Sequence, residues 1–207
     1  MRVPCLPNPP VGLSEAEEGI TRRIAARRAE NGLLPLDLVL LHAPEIANGW
    51  DILFSAIRDR SSLPDHIREI AICRTAVLNK AWYEWDWHAP ILRNTERFAH
   101  NPNKIKTIAD PNPTGPGELD AAEWAVLKFA DEVTININPA DDTFEKLRTI
   151  CGLSNREIVE LTATVSSYNF VSRFLVTLNI GDMNDKIPEE NQWQKGESYS
   201  NVRLNHQ

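Results

Sequence analysis

The sequence predicts an all-α fold on three observations. Apolar residues recur every three or four positions through most of the chain, capping residues stand ahead of several apolar runs, and no segment keeps the two-residue alternation of a half-buried strand. With 207 residues, 42% of them hydrophobic and 25% charged, the chain can bury a sizeable core as one main domain. A formal charge of -7 with scattered Lys and Arg leaves no basic footprint for nucleic acid. No apolar run approaches the roughly 18 to 20 residues that span a bilayer, so no membrane partner is expected. The opening "MRVPCLPNPP" is broken by prolines where a signal peptide would continue into an apolar core, and the expected location is the cytoplasm.

Taken in order, residues 1–12 hold four prolines and read as an extended or disordered arm. Residues 13–182 read as the helical domain and 183–207 as a polar tail that wraps a neighbour or frays. "SEAEEGITRRIAARRAENG" starts on the N-cap candidate Ser14, places acidic residues first and basic ones last, and stops at Asn31-Gly32. "PLDLVLLHAPEIANGWDILFSAIRDR" predicts two helices or one kinked one, interrupted around Pro44 and Asn48-Gly49. In "SSLPDHIREIAICRTAVLN", Ser62 is the expected N-cap, Pro64 lies in the first turn, and Asn79 is suited to a left-handed close. The next helix carries the tryptophans to about His100, with a kink or break at Pro90.

Residues 101–119 read as an irregular loop, of the length that often serves as a lid or interface. "DAAEWAVLKFADEVT" is amphipathic, "DDTFEKLRTICG" is a short helix ended by Gly152, and Ser154 with Glu157 forms a capping box ahead of a long apolar helix. Cys5, Cys73 and Cys151 show neither a CxxC pair nor a histidine at ligand spacing, so neither a disulfide framework nor a metal site is expected.

The stretch "KAWYEWDWHAPILR" packs Trp82, Trp85 and Trp87 among Glu84, Asp86 and His88. Glu84 and His88 lie four apart on one helix face and can touch, with Tyr83 and Trp87 on the adjacent ridge. If the chain reverses near Asn79, Glu69 on the preceding antiparallel helix comes within about one turn, roughly 5.4 Å, of His88. A carboxylate on one ring nitrogen fixes the imidazole tautomer and leaves the other nitrogen for proton transfer. The same spacing also describes an ordinary solvated ion pair, and the tryptophans also describe core or oligomer contacts.

Residues from about Ile20 to Ile180 resemble the carboxymuconolactone decarboxylase family, which shares its fold with the AhpD-like alkylhydroperoxidases. The resemblance rests on "LLHAPEIANGWDIL", "LPDHIREIAICRTAVLNKAWYEWDWHAPI", "ADEVT" and "LSNREIVELTATVSSYNFVSRFL". It implies a helical bundle around an antiparallel helix hairpin and a homo-oligomer, trimer or hexamer. The peroxidase branch carries E-x11-C-x2-C-x3-H. Here Glu69 and His88 occupy its ends, while Ala81 and Glu84 stand where its cysteines would be. Without those thiols the disulfide cycle cannot run. What the resemblance then implies is the decarboxylase branch, which uses no cofactor and acts on small anionic lactones or unsaturated acids.

On that reading His88 is the acid that protonates the carbon losing carbon dioxide, Glu84 orients and charges it, and Glu69 supports it or shares a proton. Arg74, Arg93 and Arg173 are the candidates for a bidentate carboxylate clamp. Tyr83, Trp87, Tyr168, Asn169 and His42 are the candidate pocket-lining residues, with a satisfied buried position the competing account of His42. An isomerase or cyclase using the same pocket and a non-catalytic binding protein stand as alternatives.

Overall fold

The computed structural model of the chain describes residues 1–188. Within them the backbone forms ten α-helices and no strand. Helix α1, Glu15–Arg28, opens on a capping box in which the Ser14 hydroxyl accepts from the Glu17 amide and Glu17 reaches back to Ser14. Helices α2, Pro35–Leu40, and α3, Pro44–Asp59, are separated at Pro44 alone. Asn48 and Gly49 sit inside α3, because the buried Ala47, Trp50 and Phe54 hold the helix across them.

Helix α4, Asp65–Asn79, begins one residue after Pro64 and has no side-chain cap. The expected cap, Ser62, instead donates its hydroxyl to Glu160 Oε2 at 2.7 Å, since the residue preceding a proline is driven out of the helical region and the helix cannot start that early. The α4 turn closes on Lys80, with φ 56° and ψ 35°, rather than on Asn79. The Asn79 amide is held in place by bonds to the Thr75 carbonyl and to Asn169, both at 3.0 Å.

Helix α5, Trp82–Asn94, passes through Pro90 without ending, because that proline stands on its exposed side. The break falls at Thr95, before α6, Glu96–Ala99. The expected loop at 101–119 contains a further helix, α7, Lys104–Ala109, whose Ile105, Ile108 and Ala109 are buried. Three burial positions in six residues are too few to stand out as a periodic signal. Helix α8, Ala121–Asn136, is capped by Asp120 and Glu123; α9, Asp141–Thr149, precedes Gly152 at φ 68°; and α10, Asn155–Leu178, opens on the Ser154–Glu157 box.

Every residue of α4 from Ile67 to Val77 is buried, charged ones included. A helix covered all round must be central, and α4 is packed against α5, α8 and α10. One apolar cluster lies between these helices, α7 and α9, and a second joins α1, α2 and α3 to the outer end of α10. The arm at 1–12 lies extended on the second cluster, with Arg2 N–H bonded to the Leu178 carbonyl at 2.8 Å and Leu6 N–H to the Leu38 carbonyl at 3.3 Å. No helix among the described residues is long and apolar enough to cross a membrane. The tail expected to wrap a neighbour lies, from residue 189 on, outside the described residues.

Candidate active site

The wall of the second cluster opens into a cavity of about 70 Å3 between α3, α5 and α10. Helix α3 presents Trp50, Phe54 and Arg58 at four-residue intervals; α5 presents Tyr83, Glu84, Trp87, His88 and Ile91; α10 presents Tyr168, Val171 and Leu175. Arg27 and Arg28 of α1, with Leu34 and Leu36, close the remaining side. Since a water occupies on the order of 10–15 Å3 by this measure, the space suits a small organic acid.

His88 is buried and its two nitrogens are differently engaged. Nδ1 lies 2.7 Å from Glu69 Oε2, across the α4–α5 hairpin, and Nε2 lies 3.3 Å from the Tyr168 hydroxyl. The Tyr168 ring meets the imidazole edge-on at 87°, with centroids 5.1 Å apart. Burial lowers the His88 pKa below its ordinary 6.5 more than the neighbouring Glu69 carboxylate raises it. Burial also pushes Glu69 upward, but His88 and Arg68 outweigh it and the carboxyl ends below its ordinary value. The pair therefore rests as a carboxylate and a neutral imidazole whose Nδ1–H points at Glu69. Nε2 is then the acceptor for Tyr168, whose phenol burial keeps protonated.

Glu84 does not touch His88, although four residues separate them on one helix. Its side chain tilts toward the N-terminus of α5 and meets α10, where Ser172 donates to Oε2 at 3.3 Å. Its other oxygen, Oε1, has no hydrogen-bond partner among the described residues, and the residue is only 3% exposed. Burial, with the Glu69 charge adding to it, drives the Glu84 pKa well above the carboxylate range. Glu69, not Glu84, is thus the carboxylate that orients His88, and burial favours the protonated form of Glu84.

Of the remaining candidates, Tyr83, Trp87 and Tyr168 line the cavity, Trp87 at its mouth with 39% exposure. Arg74 lies elsewhere: 1% exposed, it binds Asp131 and the carbonyls of Ile108, Asp110 and Pro111, and so fastens α4 to α7 and α8. Asn169 bonds Thr134 and Asn79, Arg173 bonds Asn169, and neither faces the cavity. His42 is exposed and holds the arm, its Nε2 2.8 Å from the Pro4 carbonyl. Arg93 is outside the lining as well.

Three arginines line the cavity, Arg27, Arg28 and Arg58, none of them among the sequence candidates. Arg27 and Arg28 are engaged by Asp51 at 2.5 Å and by Asp37 at 2.8 Å. Arg58 forms no ion pair or hydrogen bond with any described residue, and its charge acts on Glu69, Glu84, His88 and Tyr168. Its signal in the sequence is the stripe Trp50, Phe54, Arg58, in which an arginine continues an aromatic face. Cys73, one turn beyond Glu69, is fully buried and its thiol pKa is driven far up by burial and the two carboxyls, which leaves it inert. No group of three or more metal-binding side chains occurs among the described residues.

The fold has a counterpart among solved structures. An uncharacterized peroxidase-related protein from Silicibacter sp. TM1040 superposes with a TM-score of 0.66 over 86% of this chain and 91% of its own, at 17% sequence identity. The fold is AhpD-like. The similarity is one of architecture. Neither the protein-family models nor the curated proteins contain a match to the chain. The AhpD-like architecture places the α4–α5 hairpin at the centre, which is why residues 19 positions apart, Glu69 and His88, meet.

Proposed function

We propose that the chain is a lyase of the carboxymuconolactone decarboxylase type that acts on a small unsaturated acid or lactone by proton transfer through His88. The observation that carries this reading is the geometry of His88. One nitrogen is clamped by Glu69 and the other turns with Tyr168 toward a small cavity that holds one uncommitted arginine. An anionic substrate seated against Arg58 stabilises the imidazolium, so binding draws a proton onto His88 Nε2. The bond to the departing carboxylate then breaks, its electron pair enters the conjugated carbonyl, and carbon dioxide leaves. The resulting enolate carbon takes the proton from His88, a net exchange of carbon dioxide for one proton. Glu69 holds the imidazole in register throughout.

An isomerase is the second reading, favoured by the neutral resting state of His88. An unprotonated Nε2 is ready to remove a proton from carbon before returning it elsewhere on the same enolate. The homo-oligomer remains part of the proposal, and the exposed Trp87, Ile91 and Phe170 offer apolar surface for it. Proton NMR in deuterated buffer with carboxymuconolactone separates the two reactions. Carbon dioxide release with deuterium at the vacated carbon is expected from wild type and not from His88→Ala. Deuterium exchange without carbon dioxide promotes the isomerase, and equal turnover by a folded His88→Ala removes His88 from the mechanism.

A further inference from the structure

Outside the His88 relay, the described residues hold one buried side chain that lines the cavity and carries a carboxyl oxygen without a hydrogen-bond partner. Glu84 is 3% exposed, makes no ion pair, and receives one hydrogen bond, from Ser172 to Oε2. Oε1 has no hydrogen-bond partner among the described residues, and Glu84 lines the cavity together with Arg58 and His88. An unmade hydrogen bond on a buried group is costly, so a ligand that completes it binds more tightly than one that cannot. With Glu69 ionised nearby and no cation bonded to Glu84, a second negative charge at this depth is unfavourable. The carboxyl therefore carries its proton, and the vacant oxygen is a donor looking for an acceptor.

We propose that Oε1–H of Glu84 is a neutral hydrogen-bond donor to the carbonyl oxygen of the substrate, and holds the charge that collects there as the enolate forms. This deepens the proposed function and rests on its cavity, yet it applies to both reactions above, since both pass through an enolate. The substrate class narrows accordingly. It is a small acid whose carboxylate meets Arg58 and whose carbonyl oxygen, conjugated to the reacting carbon, meets Glu84. A neutral donor serves better than an ionised one here, because a carboxylate would repel both the ground-state anion and the oxyanion. His88 moves the proton at carbon while Glu84 stays protonated.

The test compares 4-oxopentanoate with pentanoate by calorimetric titration, so that the probe needs no turnover. Wild type is expected to bind the oxo acid roughly tenfold more tightly, about 1.4 kcal/mol, within the value of one completed buried hydrogen bond. Glu84→Gln, which keeps a donor and the shape, should retain most of that preference, and Glu84→Leu should lose it without weakening pentanoate. Infrared difference spectra of wild type against Glu84→Gln at neutral pH should show the carbonyl band of a protonated carboxyl. An unchanged preference in folded Glu84→Leu, or a carboxylate band in place of the acid band, would overturn the assignment. If wild type turns over no lactone but keeps the carbonyl preference, the lyase reading fails and the role of Glu84 stands. If wild type turns over the lactone and Glu84→Leu does so equally well, the lyase reading stands and the role of Glu84 fails.

Discussion

Three ionisable side chains on α4 and α5 lose water on folding and are pushed in different directions. Burial lifts Glu84, depresses His88, and is overridden at Glu69 by His88 and Arg68. Folding stability inherits these signs. For Glu84 the folded value lies above the unfolded one, so stability is full below about 4.5 and declines as pH rises toward the folded value. For His88 the folded value lies below 6.5, so stability is full above that pH and declines beneath it. Glu84→Gln should therefore raise the urea midpoint relative to wild type, by a margin that grows as pH climbs past 4.5 to neutrality. Equal midpoints at neutral pH would mean that Glu84 ionises freely. His88→Ala should lower turnover by roughly 10²–10⁴-fold with an unchanged circular dichroism spectrum. The meeting of Glu69 with His88 was legible from the reversal near Asn79. The partner of Glu84 was not, since a spacing of four says that two side chains share a face but not which neighbouring helix each one leans toward.

At the scale of elements, the helices with capping boxes and long apolar faces were legible, and the exceptions have local causes. Helix α7 was hidden by its length, Pro90 was tolerated by its exposure, and the start of α4 was set by Pro64 in place of Ser62. Arg74 shows the limit of reading charge from sequence. An arginine inside an apolar helix can clamp a substrate or clamp the protein, and only the fold brings up Asp131 and three carbonyls to decide. Arg74→Met should destabilise the protein by about 3 kcal/mol by leaving the buried Asp131 only the half-exposed Lys128, 3.4 Å away, as a cation, and Arg74→Met combined with Asp131→Leu should recover much of that loss. Chemical denaturation of the two variants checks the pair. Gly181, just beyond α10, has φ 69°, and a Cβ placed there would come within 3.0 Å of the Tyr83 ring. Gly181→Ala should cost about 1–2 kcal/mol from the left-handed backbone alone. It should also raise KM, because the ring it displaces is a wall of the cavity.

For the whole molecule, the cavity is shared between the second apolar cluster and the central hairpin, so its walls and its proton-transfer residues have separate supports. The extended arm reinforces the first of these. Val3, Cys5 and Leu6 pack on the second cluster and the Pro4 carbonyl is bonded to His42. His42→Ala should leave kcat unchanged while speeding proteolytic cleavage within residues 1–12. Faster cleavage with lowered kcat would instead tie the arm to the site. The aromatic enrichment of "KAWYEWDWHAPILR" divides by position: Trp82 and Trp85 fill the core, and Trp87 stands at the cavity mouth.

The all-round burial of α4 carries a further consequence for how the molecule breathes. Amide hydrogens on such a segment exchange with solvent only when the whole domain opens, whereas those of α1 to α3, under a thinner cover, open in smaller and more frequent excursions. Amides around Glu69 are therefore expected to exchange more slowly than those around Arg58 when hydrogen exchange is measured. Substrate can enter by loosening the arginine side of the cavity while the imidazole stays in register, so access and alignment are governed by different free energies.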